Sequence, residues 1–163
     1  MDLQAYQDFL AEYSDSYDLP DSLSVQTVRL GLMGETGEVI EWLKKHLRDG
    51  VTDIAALKGE LGDVLVSFFL ILKEAGIPLS EVDVEYINVT LPPNPLFCAR
   101  GLYGTIDTFL THTTPQRARE VMFAIKRIAA LYDIEFEDIV RYNWNKLSKR
   151  LVEGKQRGSG DNR

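Results

Sequence analysis

The stretch 64–72 reads Val-Leu-Val-Ser-Phe-Phe-Leu-Ile-Leu, and Leu57 and Leu61 extend the same apolar surface toward the N-terminus. A helix through this stretch is apolar around nearly its whole circumference, so it belongs inside a core rather than on a surface. It is too short to span a bilayer. Glu60 and Asp63 stand at its edge. One segment thus demands both a shell of other elements and a reason to place two carboxylates beside a core, where an unpaired charge is expensive.

The shell is also helical. Leu3, Tyr6, Leu10, Tyr13 and Tyr17 recur at three- and four-residue intervals, which predicts an amphipathic helix over 2–17. Leu19-Pro20-Asp21-Ser22 interrupts it, and Ser22 or Ser24 is expected to cap a second helix running to about residue 48. Gly50 suits the left-handed position that ends such a helix. A third helix is expected from Thr52 or Asp53 to about residue 75, stopped by Gly76-Ile77-Pro78, and a short one over 80–88. Pro92, Pro93 and Pro95 make a linker that cannot continue a helix. Helical patterns resume over 96–111, 115–132 and 137–152, with Pro115 at a first helical position. The fold class is all-α, a helical bundle.

An internal echo runs through this pattern. Val64, Ile71, Ile77, Leu79, Glu81 and Val82 align at constant offset with Val121, Ile128, Ile134, Phe136, Asp138 and Ile139. Gly31-Leu32-Met33-Gly34 has a fainter counterpart in Gly101-Leu102-Tyr103-Gly104. The expectation is an internal duplication in one domain: a first unit over 1–88, a degenerate second unit or insertion over 89–138, and a C-terminal helix and basic tail over 139–163.

Charge and composition exclude several classes. The net charge of −7 argues against a general nucleic-acid surface. The acidic, amphipathic start has no signal-peptide character, and a single cysteine, Cys98, read as core packing, suits a reducing cytoplasm. No nucleic-acid polymer and no membrane is expected as partner. Lys146, Lys149, Arg150, Lys155, Arg157 and Arg163 make the C-terminal end basic, either as a solvated tail or as cations for an anionic ligand.

The chemistry concentrates in two segments. Gly34-Glu35-Thr36-Gly37-Glu38 lies on the second helix and Gly59-Glu60-Leu61-Gly62-Asp63 on the third. Three-residue spacing puts both carboxylates of a pair on one helix face. Four carboxylates brought together, with no basic residue between them on those faces, repel unless cations intervene. Magnesium, a hard ion that prefers oxygen and keeps waters for phosphates to replace, is the natural one, with manganese a substitute. No Cys or His falls at zinc-ligand spacing. Glycines inside helices cost roughly 1 kcal/mol each relative to alanine, and here they suit close approach of a helix or a ligand. Glu41, followed by Lys44, Lys45 and His46, reads as surface, as does His46 itself.

The pattern Glu35-x-x-Glu38, then 21 residues, then Glu60-x-x-Asp63 resembles the signature of the all-α nucleotide pyrophosphohydrolases. GLMGETGEVIEWLKKHLRDG and LKGELGDVL look MazG-like in particular, a group related to dimeric dUTPases and dCTP pyrophosphatases. Asn143-x-x-Lys146-Leu147-x-x-Arg150 is similar to the C-terminal segment of small MazG-like proteins. The resemblance implies magnesium at Glu35, Glu38, Glu60 and Asp63, a nucleoside triphosphate substrate, and phosphate or sugar contacts from Asn143, Lys146 and Arg150. It departs from small family members over about 89–138, where Thr105, Thr108, Arg117 and Glu120 stand in for the acidic pairs. One active site per chain follows, which leaves homodimerisation open.

The expected reaction is magnesium-dependent hydrolysis of (deoxy)nucleoside triphosphates to monophosphate and pyrophosphate, serving nucleotide-pool sanitation or control. Glu35 or Glu38 is the candidate to orient or deprotonate the attacking water. Trp42, one turn beyond Glu38, is a candidate to stack on the base, with Tyr6, Tyr13 and Phe69 as further aromatics, and core packing is the competing and favoured reading of each. The rivals are a nucleotide-binding regulator with the same metal site, a di-iron carboxylate protein and a purely structural module. The di-iron reading lacks the Glu-x-x-His pairs it needs.

Overall fold

The three- and four-residue apolar spacing folds, in the computed structural model, into helices throughout. The structure describes residues 3–15, 21–82 and 94–154. Among them are α1 (Leu3–Asp15), α2 (Asp21–Asp49), α3 (Ile54–Glu74), a 3₁₀ turn at Leu79–Glu81, α4 (Pro95–Thr111), α5 (Pro115–Leu131) and α6 (Phe136–Val152), with no strand. No helix among the described residues is long and apolar enough to cross a membrane. Tyr17, most of the proline linker, the expected helix beyond Val82 and the basic residues from Lys155 onward lie outside the described residues.

Local chemistry sets the helix ends. The backbone of α2 is already helical at Asp21, ahead of both serines expected to cap it. Gly50, at φ +69°, ends α2 with its N–H on the His46 carbonyl at 3.1 Å. Asp53 caps α3, its side chain accepting from the Ala56 N–H at 3.0 Å. Asn94 caps α4 by accepting from the N–H groups of Leu96 and Phe97, and Thr114 caps α5 by accepting from Arg117 N–H. Pro95 and Pro115 take first-turn positions, where a missing N–H costs nothing.

Short turns make two hairpins, α2–α3 and α4–α5, and α2 packs on α4 to join them. The α3 helix is the hub. Its residues Leu57, Leu61, Val64, Leu65, Phe68, Phe69 and Leu72 are fully buried, covered by α2, α6 and α1. Phe68 also meets Phe109 of α4 edge-on, centroids 5.3 Å apart. The helix that the sequence required to be surrounded is surrounded. Burying each such side chain contributes roughly 1.5–3 kcal/mol, so α3 anchors the rest of the bundle.

The aligned segments after α3 and α5 share a backbone geometry. Gly76 (φ +65°) and Asp133 (φ +54°) both sit in the left-handed region. The next N–H in each case, Ile77 or Ile134, reaches back to Leu72 or Ala129 at 2.9 Å. The N–H groups of Glu81 and Asp138 then close the following turns onto Pro78 and Glu135, each at 3.0 Å.

Candidate metal centre and active site

Glu35 and Glu38 project from α2 toward Glu60 on α3, and one oxygen from each of the three lies within 4.8 Å of the others. Glu35 and Glu60 are half-buried and Glu38 is exposed. Three-residue spacing on α2 and the short α2–α3 turn are sufficient to bring them together. The set is all oxygen and all carboxylate, which suits a hard divalent cation. Oxygens opposite one another on octahedral magnesium stand about 4.2 Å apart, twice the usual bond length. Adjacent oxygens stand about 3.0 Å apart, so the three carboxylates are near enough to share one ion once their side chains draw together. Added Cβ atoms at Gly34 and Gly37 would meet nothing within 4 Å, so the rim beside Glu35 and Glu38 is open to a ligand.

Asp63 behaves differently. It lies one turn beyond Glu60 but falls outside the three-glutamate group. Its Oδ1 accepts from Asn143 Nδ2 at 2.8 Å, and its Oδ2 pairs with Lys146 Nζ at 2.5 Å. The expected four-carboxylate cluster is thus three glutamates with an aspartate beside them whose charge is met by a lysine. The cause is α6, which crosses α3 at Gly62. A Cβ at Gly62 would stand 2.7–3.0 Å from the Asn143 side chain, so only glycine lets this helix come so near. Gly31 makes a similar allowance on α2, where a Cβ would meet Ser67 Oγ at 3.1 Å.

Of the residues expected to hold substrate, Asn143 and Lys146 therefore touch a carboxylate of the acidic pairs. Arg150 shares their face of α6 one turn on and is half-buried. Trp42 does not stand free for a base. Its ring is 6% exposed, its Nε1 donates to the Asp53 carbonyl at 3.0 Å, and it stacks on His46 with Tyr132 edge-on. It does lie near the face that carries the glutamates, but one turn later the returning chain covers that face. His46, expected on the surface, is drawn into the same cluster, with Nδ1 2.6 Å from the Val51 carbonyl. Tyr6, Tyr13 and Phe69 are buried as well. Glu41 is a surface residue as expected, paired with Lys44 and Lys45. Cys98 is buried, and its burial pushes the thiol pKa up, which suits packing rather than nucleophilic chemistry.

Tyr6 has a partner that spacing alone does not show. Its hydroxyl donates to Asn143 Oδ1 at 2.7 Å, deep between α1 and α6. Burial, and secondarily the Asp63 charge, hold its pKa well above the ordinary value. No local signal links residue 6 to residue 143, and only the packing of α1 reveals it.

The second hairpin has a cavity of about 430 Å3 lined in part by Phe97, Thr105, Arg119, Glu120, Phe123 and Arg127. None of the residues expected at the active site lines it. Arg127 lies over the Phe97 ring at 4.5 Å, and Glu120 is paired with Arg117 at 2.8 Å.

No curated protein and no solved structure matches this chain. Residues 23–88, which include all of α3, most of α2 and all four carboxylates, match the family model of the MazG nucleotide pyrophosphohydrolase domain. Over this hairpin the chain is similar to the MazG nucleotide pyrophosphohydrolase domain.

Proposed function

We propose that the chain hydrolyses nucleoside triphosphates to monophosphate and pyrophosphate with magnesium, or manganese in its place, held by Glu35, Glu38 and Glu60, with Asp63 completing the acidic set. The observation that carries this reading is the convergence of the three glutamates on the MazG-like hairpin. A bound divalent ion would neutralise phosphate oxygens and lower the pKa of a coordinated water. In that arrangement Glu38, exposed at the open rim, would accept a proton from that water, with Glu35 one turn back to orient it. Lys146 and Arg150 supply positive charge for the phosphates on the α6 side. To reach a phosphate, Lys146 has to share or release Asp63.

The division of labour follows the two hairpins. Residues 1–88 with α6 carry one site per chain. Residues 89–138 form a degenerate counterpart whose echo positions are Thr105, Thr108, Arg117 and Glu120. A role in cytoplasmic nucleotide-pool control fits this reading, and the oligomeric state is left to measurement.

The test is to incubate the protein with a panel of ribo- and deoxyribonucleoside triphosphates, with and without magnesium, and to resolve products by ion-exchange chromatography. Magnesium-dependent monophosphate and pyrophosphate, lost in Glu38→Gln, are expected. Inorganic phosphate and nucleoside diphosphate instead would replace this reaction with another hydrolysis. A second reading, a nucleotide-binding regulator, draws on the Lys146–Asp63 ion pair, which already satisfies one of the four carboxylates. Tight magnesium-dependent nucleotide binding without turnover would favour it.

A further inference from the structure

We infer that Tyr6 is a positioning residue for Asp63, acting through the side-chain amide of Asn143; the catalytic part of this inference rests on the function proposed above. Asn143 is fully buried and has two different ends to satisfy. Its Nδ2 donates to Asp63 Oδ1 at 2.8 Å and its Oδ1 accepts from the Tyr6 hydroxyl at 2.7 Å. Turned over, the amide would present its carbonyl to a carboxylate, and two acceptors would face each other. The Tyr6 hydroxyl reinforces the correct orientation because a protonated phenol has a hydrogen to give.

The parts around this chain of contacts are built to hold it. The Tyr6 ring is wedged between Phe69 of α3, edge-on at 5.9 Å, and Trp144 of α6, stacked at 5.7 Å. Gly62, the residue before Asp63, leaves the space that Asn143 occupies. Lys146, one turn beyond Asn143, takes the other oxygen of Asp63. The carboxylate is therefore gripped on both oxygens, one by a buried amide of fixed orientation and one by the Lys146 ammonium. Tyr6 and Asn143 belong to α1 and α6, both outside the segment that matches the family model. The arrangement ties the MazG-like hairpin to two helices outside that segment, and it keeps Asp63 aimed when Lys146 turns toward a phosphate.

Tyr6→Phe in the full-length protein isolates the hydroxyl while keeping the ring. The first readout is NMR of the Asn143 side-chain amide, which needs neither metal nor substrate. Two distinct, exchange-protected Nδ2 hydrogens are expected in the wild type and faster exchange in the variant. The second is the magnesium concentration for half-maximal hydrolysis together with kcat and KM. A rise of about three- to tenfold in the magnesium requirement, a fall in kcat and an unchanged KM are expected, the scale of one lost hydrogen bond. Phe109→Leu, in the core of α4, serves as a control that lowers Tm without moving the magnesium requirement. Unchanged Asn143 exchange in Tyr6→Phe overturns the inference. So does faster exchange with unchanged magnesium requirement and kcat, or an equal shift in Phe109→Leu. Absence of hydrolysis by the wild type counts instead against the proposed function, and the amide exchange then decides the Tyr6–Asn143 link alone.

Discussion

The α2–α3 and α4–α5 hairpins are built alike and treat their polar residues in opposite ways. On α2 and α3, Glu35, Glu38 and Glu60 converge across two helices. At the echoing positions of the second hairpin, polarity is consumed locally. Thr105 and Thr108 donate back to carbonyls of their own helix, and Arg117 pairs with Glu120 three residues on. A hydroxyl that bonds its own backbone, or a carboxylate beside its own arginine, gives a cation nothing to neutralise. Carboxylates gathered from two helices do the reverse. The α2–α3 hairpin is thus a candidate metal centre and the α4–α5 hairpin is not, and the difference lies in where each polar group finds its partner.

That contrast can be broken most directly at the carboxylates. Glu38→Gln should lower magnesium-dependent hydrolysis by about a hundredfold or more, with Tm unchanged because Glu38 is exposed. Glu120→Gln should leave turnover within about twofold. Comparable losses in both variants, in a direct assay of pyrophosphate release, would erase the distinction between the hairpins.

The glycines sharpen the comparison. Gly62→Ala should cost about 1–3 kcal/mol, since its Cβ would press on Asn143. Gly101→Ala, with nothing within 4 Å, should stabilise by about 0.5–1 kcal/mol. Urea denaturation reads both, and equal effects would mean that α6 does not rely on Gly62.

The shared turn gives a smaller and symmetrical effect. Gly76→Ala should destabilise by about 1 kcal/mol and Asp133→Gly should stabilise by a similar or smaller amount, because both positions have positive φ. Thermal unfolding checks this, and the same sign in both variants would show that the two turns are not equivalent.

Alkaline pH singles out the Tyr6 hydroxyl. The folded-state pKa of Tyr6 is raised by burial and then by Asp63, against about 10 for an exposed tyrosine. The protonated form is favoured by folding, so stability linked to Tyr6 is intact below about pH 10 and falls as pH rises beyond it. Tyr6→Phe should remove that part of the alkaline slope. An identical slope in the two proteins, followed by denaturant titration at several pH values, would mean that Tyr6 ionises as readily folded as unfolded.

Much of this molecule is legible along the chain. The apolar surround of α3, the Gly50 ending of α2, and Pro115 at a helix start are local properties, carried by side-chain volume, missing N–H groups and backbone freedom. The two acidic pairs are legible for the same reason, since three-residue spacing fixes a shared helix face before any folding. His46 was expected at the surface and Trp42 was left between packing and a base, because helical phase tells which way a side chain points but not what comes to cover it. The chain returning through Val51 and Asp53 covers both.

Spacing within a few turns is enough for the all-α class, the buried hub and the carboxylates on adjacent helices. The gathering of three glutamates while Asp63 turns to Lys146, and the reach of Tyr6 to Asn143 across 137 positions of chain, come from packing between helices. Those partnerships depend on how closely α6 and α1 approach α3. That distance is set by Gly62 and the surrounding aromatic packing together, and no periodicity within a single helix encodes it.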